Sequence, residues 1–248
     1  MRILSFCLYG NNPLYLHGAI SNAHSAGQWY PDWHSWFYVG ASVPQDIRTQ
    51  LEAAGARVIN VDGPETALTT LWRFRPVLDQ DVRAIMVRDC DSRFGKRERE
   101  AVAEWLEGGE PFHIMRDHPA HRTPILAGLW GAIGPGLDIV RNALAQDALT
   151  DVRGVDQHFL AQHVYPVVKK SACIHDAYFC YEWHSRPFPS PREGCAFVGE
   201  IINESGEPNL EHREAVRQAD ASCRLRLRLK AASVKDRLLK CHLWAAAG

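Results

Sequence analysis

The sequence predicts an α/β protein built on a mostly parallel sheet with helices on both faces. Short apolar runs alternate with segments of helical period at intervals of about 20 to 30 residues, as expected for parallel strands joined by crossover helices. The 248 residues are 46% hydrophobic, enough to bury a large core in a single domain. Two of the apolar runs end in clusters of Gly, Asn or Asp, and in such sheets ligands bind outside the carboxyl ends of the strands.

Ile3 to Leu8 form the first buried run, which ends at the loop Gly10-Asn11-Asn12; the spacing of apolar residues from Leu14 to Ala26 then predicts a helix. Trp36 to Val39 follow as a second strand. Pro44, Leu51 and Gly55 mark the start, apolar face and end of the next helix, and Arg57 to Val61 supply a third strand. Thr66 to Arg75 are predicted helical up to Pro76. Ala84 to Arg88 form a strand, Lys96 to Glu107 an amphipathic helix stopped by Gly108-Gly109, and Phe112 to Met115 a further strand. Beyond residue 120 the pattern is irregular, and only Leu137 to Ala148 and Asp156 to Val164 read as helices, with Ser171 to His175 as a short strand.

Net charge is −1, yet residues 211–248 hold nine Lys/Arg against four Asp/Glu, which leaves the first 210 residues at −6. A body of that charge is not a nucleic-acid-binding surface. Seven cysteines with no C-x-x-C pair point to reduced thiols and a cytoplasmic protein rather than a disulfide framework. The first ten residues read as a core strand, not a signal peptide, and no apolar run reaches the length of a membrane span.

The most informative stretch is Arg88-Asp89-Cys90-Asp91-Ser92-Arg93, where a buried strand ends in two aspartates one residue apart. Two carboxylates at a strand end make a hard-oxygen site for a divalent cation, and the flanking arginines add positive charge for a phosphate. Strand alternation points Arg88 away from Asp89, which also suits an anchor for the aspartate loop. The segment from His113 to His121 packs three histidines, an arginine and an aspartate at another strand end, and reads as a substrate-contacting loop.

The order of these features resembles the nucleotide-sugar glycosyltransferases of the GT-A fold, and its spacing is similar to the family of glycogenin and the lipopolysaccharide galactosyltransferases. Four matches carry the resemblance: V-R-D-C-D-S-R at 87–93, L-W-R-F-R-P-V-L-D at 71–79, I-L-A-G-L-W-G-A-I at 125–133 and G-V-D-Q-H-F-L at 154–160. Leu126 stands where the family has asparagine, His158 where it has a second aspartate, and the family's C-terminal H-x-x-G-x-x-K-P-W is not intact.

The resemblance implies a GT-A domain over residues 1–206. It would move a sugar from a nucleotide diphosphate donor to the hydroxyl of a saccharide, lipid-linked or protein acceptor, in envelope or surface polysaccharide synthesis, with Mn²⁺ or Mg²⁺. Position at the strand ends puts the Tyr9–Asn12 and Asp89–Asp91 loops about one pocket, with Tyr9, Gly10, Asn11, Arg88 and Asp89 as donor contacts, and the resemblance adds Arg73 and Arg186. Asp89, Asp91 and an imidazole would hold the metal, with His175 expected as that imidazole and His184 as its rival. Asp156 and Gln157 would stand at the reacting centre, Gln157 near the sugar in a retaining reaction or Asp156 as the base of an inverting one. The alternatives are a glycosyltransferase-like binding module and a phosphohydrolase of the haloacid dehalogenase type. The basic, Leu-rich tail at 207–248 reads either as a terminal helix packed on the domain or as a peripheral membrane contact on the cytoplasmic face.

Overall fold

The computed structural model describes residues 1–146 and 149–222. Seven strands form one sheet: β1 (Arg2–Leu8), β2 (His34–Gly40), β3 (Arg57–Val61), β4 (Ala84–Arg88), β5 (Phe112–Arg116), β6 (Leu129–Ile133) and β7 (Cys173–Asp176). Their order across the sheet is β3-β2-β1-β4-β6-β5-β7, and every pairing is parallel except those of β6, which runs antiparallel to β4 and β5.

Both faces are covered because alternate residues of each buried strand pack in opposite directions. Leu4, Phe6 and Leu8 of β1 meet α1 (Pro13–Trp29), α2 (Gln45–Ala53) and α3 (Lys96–Gly108), with Phe6 stacked on Phe37 at 4.5 Å between centroids. Ile3, Ile85 and Ile114 meet the other layer: a 3₁₀ segment (Ala67–Leu78), α4 (Pro135–Gln146) and a helical run from α5 (Val155–Phe159) through a π turn (Leu160–Val164) to α6 (Tyr165–Val168). Phe74 and Phe112 both pack on Trp130, each at 5.2 Å.

Helix ends follow their sequence signals. Asn12 caps α1 by accepting from the Leu14 amide at 3.0 Å, with Pro13 beside it at the helix start. Gly109 closes α3 in the left-handed region at φ 74°. Pro76 does not end its helix, because residues 67–78 form a 3₁₀ segment that continues to Leu78.

The expected helix to Ala148 runs to Gln146, and its last residues lie outside the described ones. Residues 210–222 are helical and dock on the body: Val216 is buried, Arg213 pairs with Glu200 at 2.6 Å, and Tyr178 donates to Asp220 at 2.7 Å. Most of the basic, Leu-rich stretch, residues 223–248, lies outside the described residues. Among those described, no helix is long and apolar enough to cross a membrane.

Candidate active site at the carboxyl ends of the central strands

A cleft of about 410 Å³ opens where β1 and β4 end, lined by Cys7 to Asn12, Tyr15, Thr70, Arg73, Asp89 and Cys90. The two loops expected to share a pocket do share one. Gly10 turns the β1 loop with φ 74°, and its amide donates to Ser42 Oγ at 2.6 Å and to Glu65 Oε2 at 3.2 Å. Glu65 also accepts from the Ser42 amide at 2.8 Å, so one carboxylate ties together the loops that leave β1, β2 and β3. Burial would raise its pKa, but hydrogen bonds from the Ser42 hydroxyl, the Ser42 amide and the Gly10 amide, with the charge of Arg48, hold it below the ordinary carboxylate value. Sequence reading passed over Glu65 because its partners are 23 and 55 residues away.

Arg73 is at the centre of the site. The 3₁₀ segment presents it from below, and its backbone is pinned by Ser5 Oγ, which donates to the Arg73 carbonyl at 2.6 Å. The buried guanidinium bridges two carboxylates: Nη1 pairs with Asp89 Oδ1 and Nη2 with Asp156 Oδ2 at 2.6 Å. Burial alone would lower the pKa of Arg73, but Asp89, Cys7 and Asp156 outweigh it and hold the charge on. The Asp89 side chain remains 46% exposed to the cleft.

The aspartate loop is built from outside itself. Gly18 of α1 lies against the Cys90 carbonyl, where any Cβ would overlap it, and Asn22 donates to the Ser92 carbonyl at 2.9 Å. Gly128, just before β6, lies equally close to Asp89, so that a Cβ there would overlap Oδ2. The Ile202 amide donates to the Asp91 carbonyl at 2.9 Å from the far side. Among the described residues no other side chain hydrogen-bonds or ion-pairs with the Asp91 carboxylate. Burial, and then the charge of Asp89, push its pKa up to about 6.

Tyr9, Gly10, Asn11, Arg73 and Asp89 thus line one cleft, Asp156 adjoins it through Arg73, and Asp91 belongs to the same loop as Asp89. Gln157 is engaged at both ends of its amide: Oε1 accepts from the Ala127 amide at 3.1 Å and Nε2 donates to the Ile125 carbonyl. It braces the segment that carries Gly128.

Three expected site residues lie elsewhere. Arg88 points to the α3 face, wholly buried, with Nε on Glu98 at 2.6 Å and Nη1 on the Trp130 carbonyl at 3.0 Å; it anchors the strand and does not reach the cleft. Arg186 pairs with Glu104 at 2.8 Å and Glu110 at 2.7 Å around α3. His175 does lie in a strand, one residue before its end at Asp176, but β7 stands three strands from β4, on the order of 14 Å at about 4.8 Å per strand. Its ring meets His113 and Glu104 instead, so it cannot share one ion with Asp91. The rival His184 packs edge-on against Trp183, and neither of its ring nitrogens has a hydrogen-bond partner.

The polar run from His113 to His121 is largely structural. Asp117 accepts from Arg97, Arg192 and the Val198 amide, and Arg116 pairs with Asp176 at 2.8 Å and with Glu182. His118 accepts from the Ala120 amide and meets the His212 carbonyl at 3.0 Å. His121 accepts from the Asp117 amide; burial lowers its pKa to about 3 against a raising effect from Asp176 and Asp89.

No protein-family model and no curated protein matches this chain. Solved structures similar to it include a galactosyltransferase, LgtC, in complex with donor and acceptor sugar analogues: 15% identity, 75% of this chain and 81% of that one covered, TM-score 0.44. Another is glucosyl-3-phosphoglycerate synthase from Mycobacterium tuberculosis in complex with phosphoglyceric acid, at 14% identity, 77% and 73% coverage and TM-score 0.45. The same synthase in complex with Mn²⁺, UDP-glucose and glycerol 3-phosphate matches at 16% identity, 70% and 69% coverage and TM-score 0.42. At these scores the likeness carries no residue-level correspondence.

Proposed function

We propose that the protein is a metal-dependent GT-A-type glycosyltransferase, which moves a sugar from a nucleotide diphosphate donor to an acceptor hydroxyl. The observation that carries this reading is the incompletely balanced charge at the cleft: Asp89 and Asp156 share one guanidinium, that of Arg73, in a pocket open to solvent, and the Asp91 carboxylate of the same loop has no side-chain partner among the described residues. The donor set fits a hard divalent ion, because among the described residues Asp91 has no competing side-chain partner and Asp89 is half exposed. Asp89 and Asp91 would hold Mn²⁺ or Mg²⁺, which supplies Lewis-acid stabilisation of the departing diphosphate.

The residues of the chain do the rest. The Tyr9–Asn11 loop and Tyr15 wall the cleft, and Arg73 offers a fixed positive charge to a phosphate oxygen. Asp156 is buried and committed to Arg73, so its role is to position that guanidinium rather than to take a proton from the acceptor. Gln157 holds residues 125–127 so that Gly128 can abut Asp89. The haloacid dehalogenase alternative needs a free aspartate nucleophile, whereas Asp89 is paired with Arg73.

The test is nucleoside diphosphate release from a panel of nucleotide sugars with and without Mn²⁺. Wild type should release the nucleotide only with the metal, and a folded Asp91→Ala variant should not. Full release by Asp91→Ala would remove the aspartates from the chemistry, and no release from any donor would leave the binding-module reading.

A further inference from the structure

His175 is misplaced for the cleft, but the place it occupies is itself organised. β5 and β7 pair in parallel with His113 beside Cys173 and Met115 beside His175. A strand period of two then sends His113, Cys173 and His175 from one face of two adjacent strands into the layer under α3. One donor atom can be taken from each so that all lie within 4.8 Å of one another. His113 Nε2 stands 2.9 Å from His175 Nδ1, and Cys173 Sγ stands 3.8 Å from that same nitrogen. On its outer side, His175 Nε2 is 3.4 Å from Glu104 Oε2.

We propose that His113 Nε2, Cys173 Sγ and His175 Nδ1 hold a zinc ion whose fourth position would be taken by water, with Glu104 orienting the His175 ring from behind. Two imidazoles and a thiolate are a nitrogen and sulfur set suited to zinc and unsuited to the hard ions of the aspartate cleft. With Zn–N near about 2.1 Å and Zn–S near about 2.3 Å, tetrahedral ligands lie about 3.4 Å apart for two nitrogens and about 3.6 Å for nitrogen and sulfur. The observed 2.9 and 3.8 Å depart from those values in opposite senses by amounts that small side-chain rotations supply. A carboxylate on the far nitrogen of a ligating histidine is the usual outer support of such a site, and Glu104 is itself held by Arg186 at 2.8 Å.

Without an ion these buried groups are poorly served. His113, Cys173 and His175 are fully buried, and the Cys173 thiol has only its long contact to His175. Buried polar groups are ordinarily hydrogen-bonded. Binding replaces the S–H bond of Cys173 by an S–Zn bond and releases one proton to solvent, so affinity rises with pH. The consequence for the fold is a cross-link between β5 and the four-residue edge strand β7, reinforced toward α3 through Glu104.

This site is independent of the cleft, and its test has a spectroscopic readout. Full-length protein, purified without chelator, should carry one zinc per chain by elemental analysis. Cobalt(II) added to the zinc-free protein should give the near-ultraviolet charge-transfer band of a cobalt–thiolate bond, bleached by one equivalent of zinc. Cys173→Ser and His113→Gln should lose that band, and Asp91→Asn should keep it. Zinc at background with no cobalt band in wild type would overturn the proposal and leave a hydrogen-bonded His113–His175–Glu104 chain. A band that persists in Cys173→Ser would overturn it as well. Should either variant fail to fold, the wild-type zinc content and cobalt spectrum still decide.

Discussion

Two regions of this molecule gather charged side chains, and they differ in how the charge is balanced. At the margin of β5 and β7 the buried carboxylates are fully engaged: Asp176 accepts from Arg116 and from the amides of Tyr178, Phe179 and Cys180, and Asp117 accepts from Arg97, Arg192 and the Val198 amide. In the cleft at the ends of β1 and β4, Asp89 and Asp156 share one guanidinium, and Asp91 has no side-chain partner among the described residues. Closed networks hold loops in place, whereas an open one leaves a charge for a ligand to meet. Density of polar residues alone does not distinguish the two.

The comparison is sharpest where a substitution should damage stability and spare binding, or the reverse. The largest effect is expected from Arg116→Ala, which leaves Asp176 and Glu182 buried without their cation; unpairing buried charges costs about 3–5 kcal/mol, readable in urea unfolding. The folded fraction should bind nucleotide as wild type does. Gly128→Ala should cost about 1–3 kcal/mol by overpacking and also reduce Mn²⁺-dependent turnover, because its methyl would overlap Asp89 Oδ2. Stability loss with turnover unchanged would show that Asp89 can move without consequence.

Arg73→Lys keeps the charge but cannot bridge Asp89 and Asp156 in the same way. Donor affinity measured by calorimetry should fall about tenfold, the loss of one charge-assisted contact worth about 1.5 kcal/mol. A smaller effect concerns pH. The folded Asp91 carboxyl titrates near 6, above its ordinary 3.8, because of burial and then Asp89. The native state therefore takes up this proton before the unfolded chain does as pH falls. The resulting stability is complete below about 4 and lost as pH rises through about 6. Metal-free Asp91→Asn should melt with wild type near pH 4 and above it at pH 7; a constant difference across that range would contradict the assignment.

The smallest effect is expected from removing residues 223–248, which should leave nucleotide release within a few fold. A cut after Gly206 goes further, because it removes Val216, Arg213 and Asp220, which pack on or pair with the body. A melting temperature unchanged by that longer truncation would show that the 210–222 helix contributes nothing to the core.

Much of the sheet was legible because each parallel strand is a short apolar run that stops at a turn residue. The aspartates were legible because local sequence sets their place at a strand end, and Arg73 because residues 71–79 resemble a family motif that carries an arginine at that point. The order of strands was not. His175 was placed beside the aspartates on the correct reading that a strand ends there, but lateral order depends on long-range pairing, and β7 joins β5 rather than β4. Arg88 shows the opposite case, since alternation alone already turned it away from Asp89, and Glu98 confirms the direction. Arg186 was placed by its likeness to a motif that is not intact, and Glu104 and Glu110 on α3 claim it.

The central claim is that the open charge at Asp89 and Asp91 is a metal and nucleotide site. Thermal unfolding with a panel of nucleoside diphosphates, each with and without Mn²⁺, tests it most directly. A ligand at 100 times its dissociation constant adds about 2.7 kcal/mol to native stability. The account expects a rise in wild-type melting temperature only when nucleotide and Mn²⁺ are present together, and none in Asp91→Asn. An equal rise in both proteins, or none in wild type with any nucleotide, would contradict it.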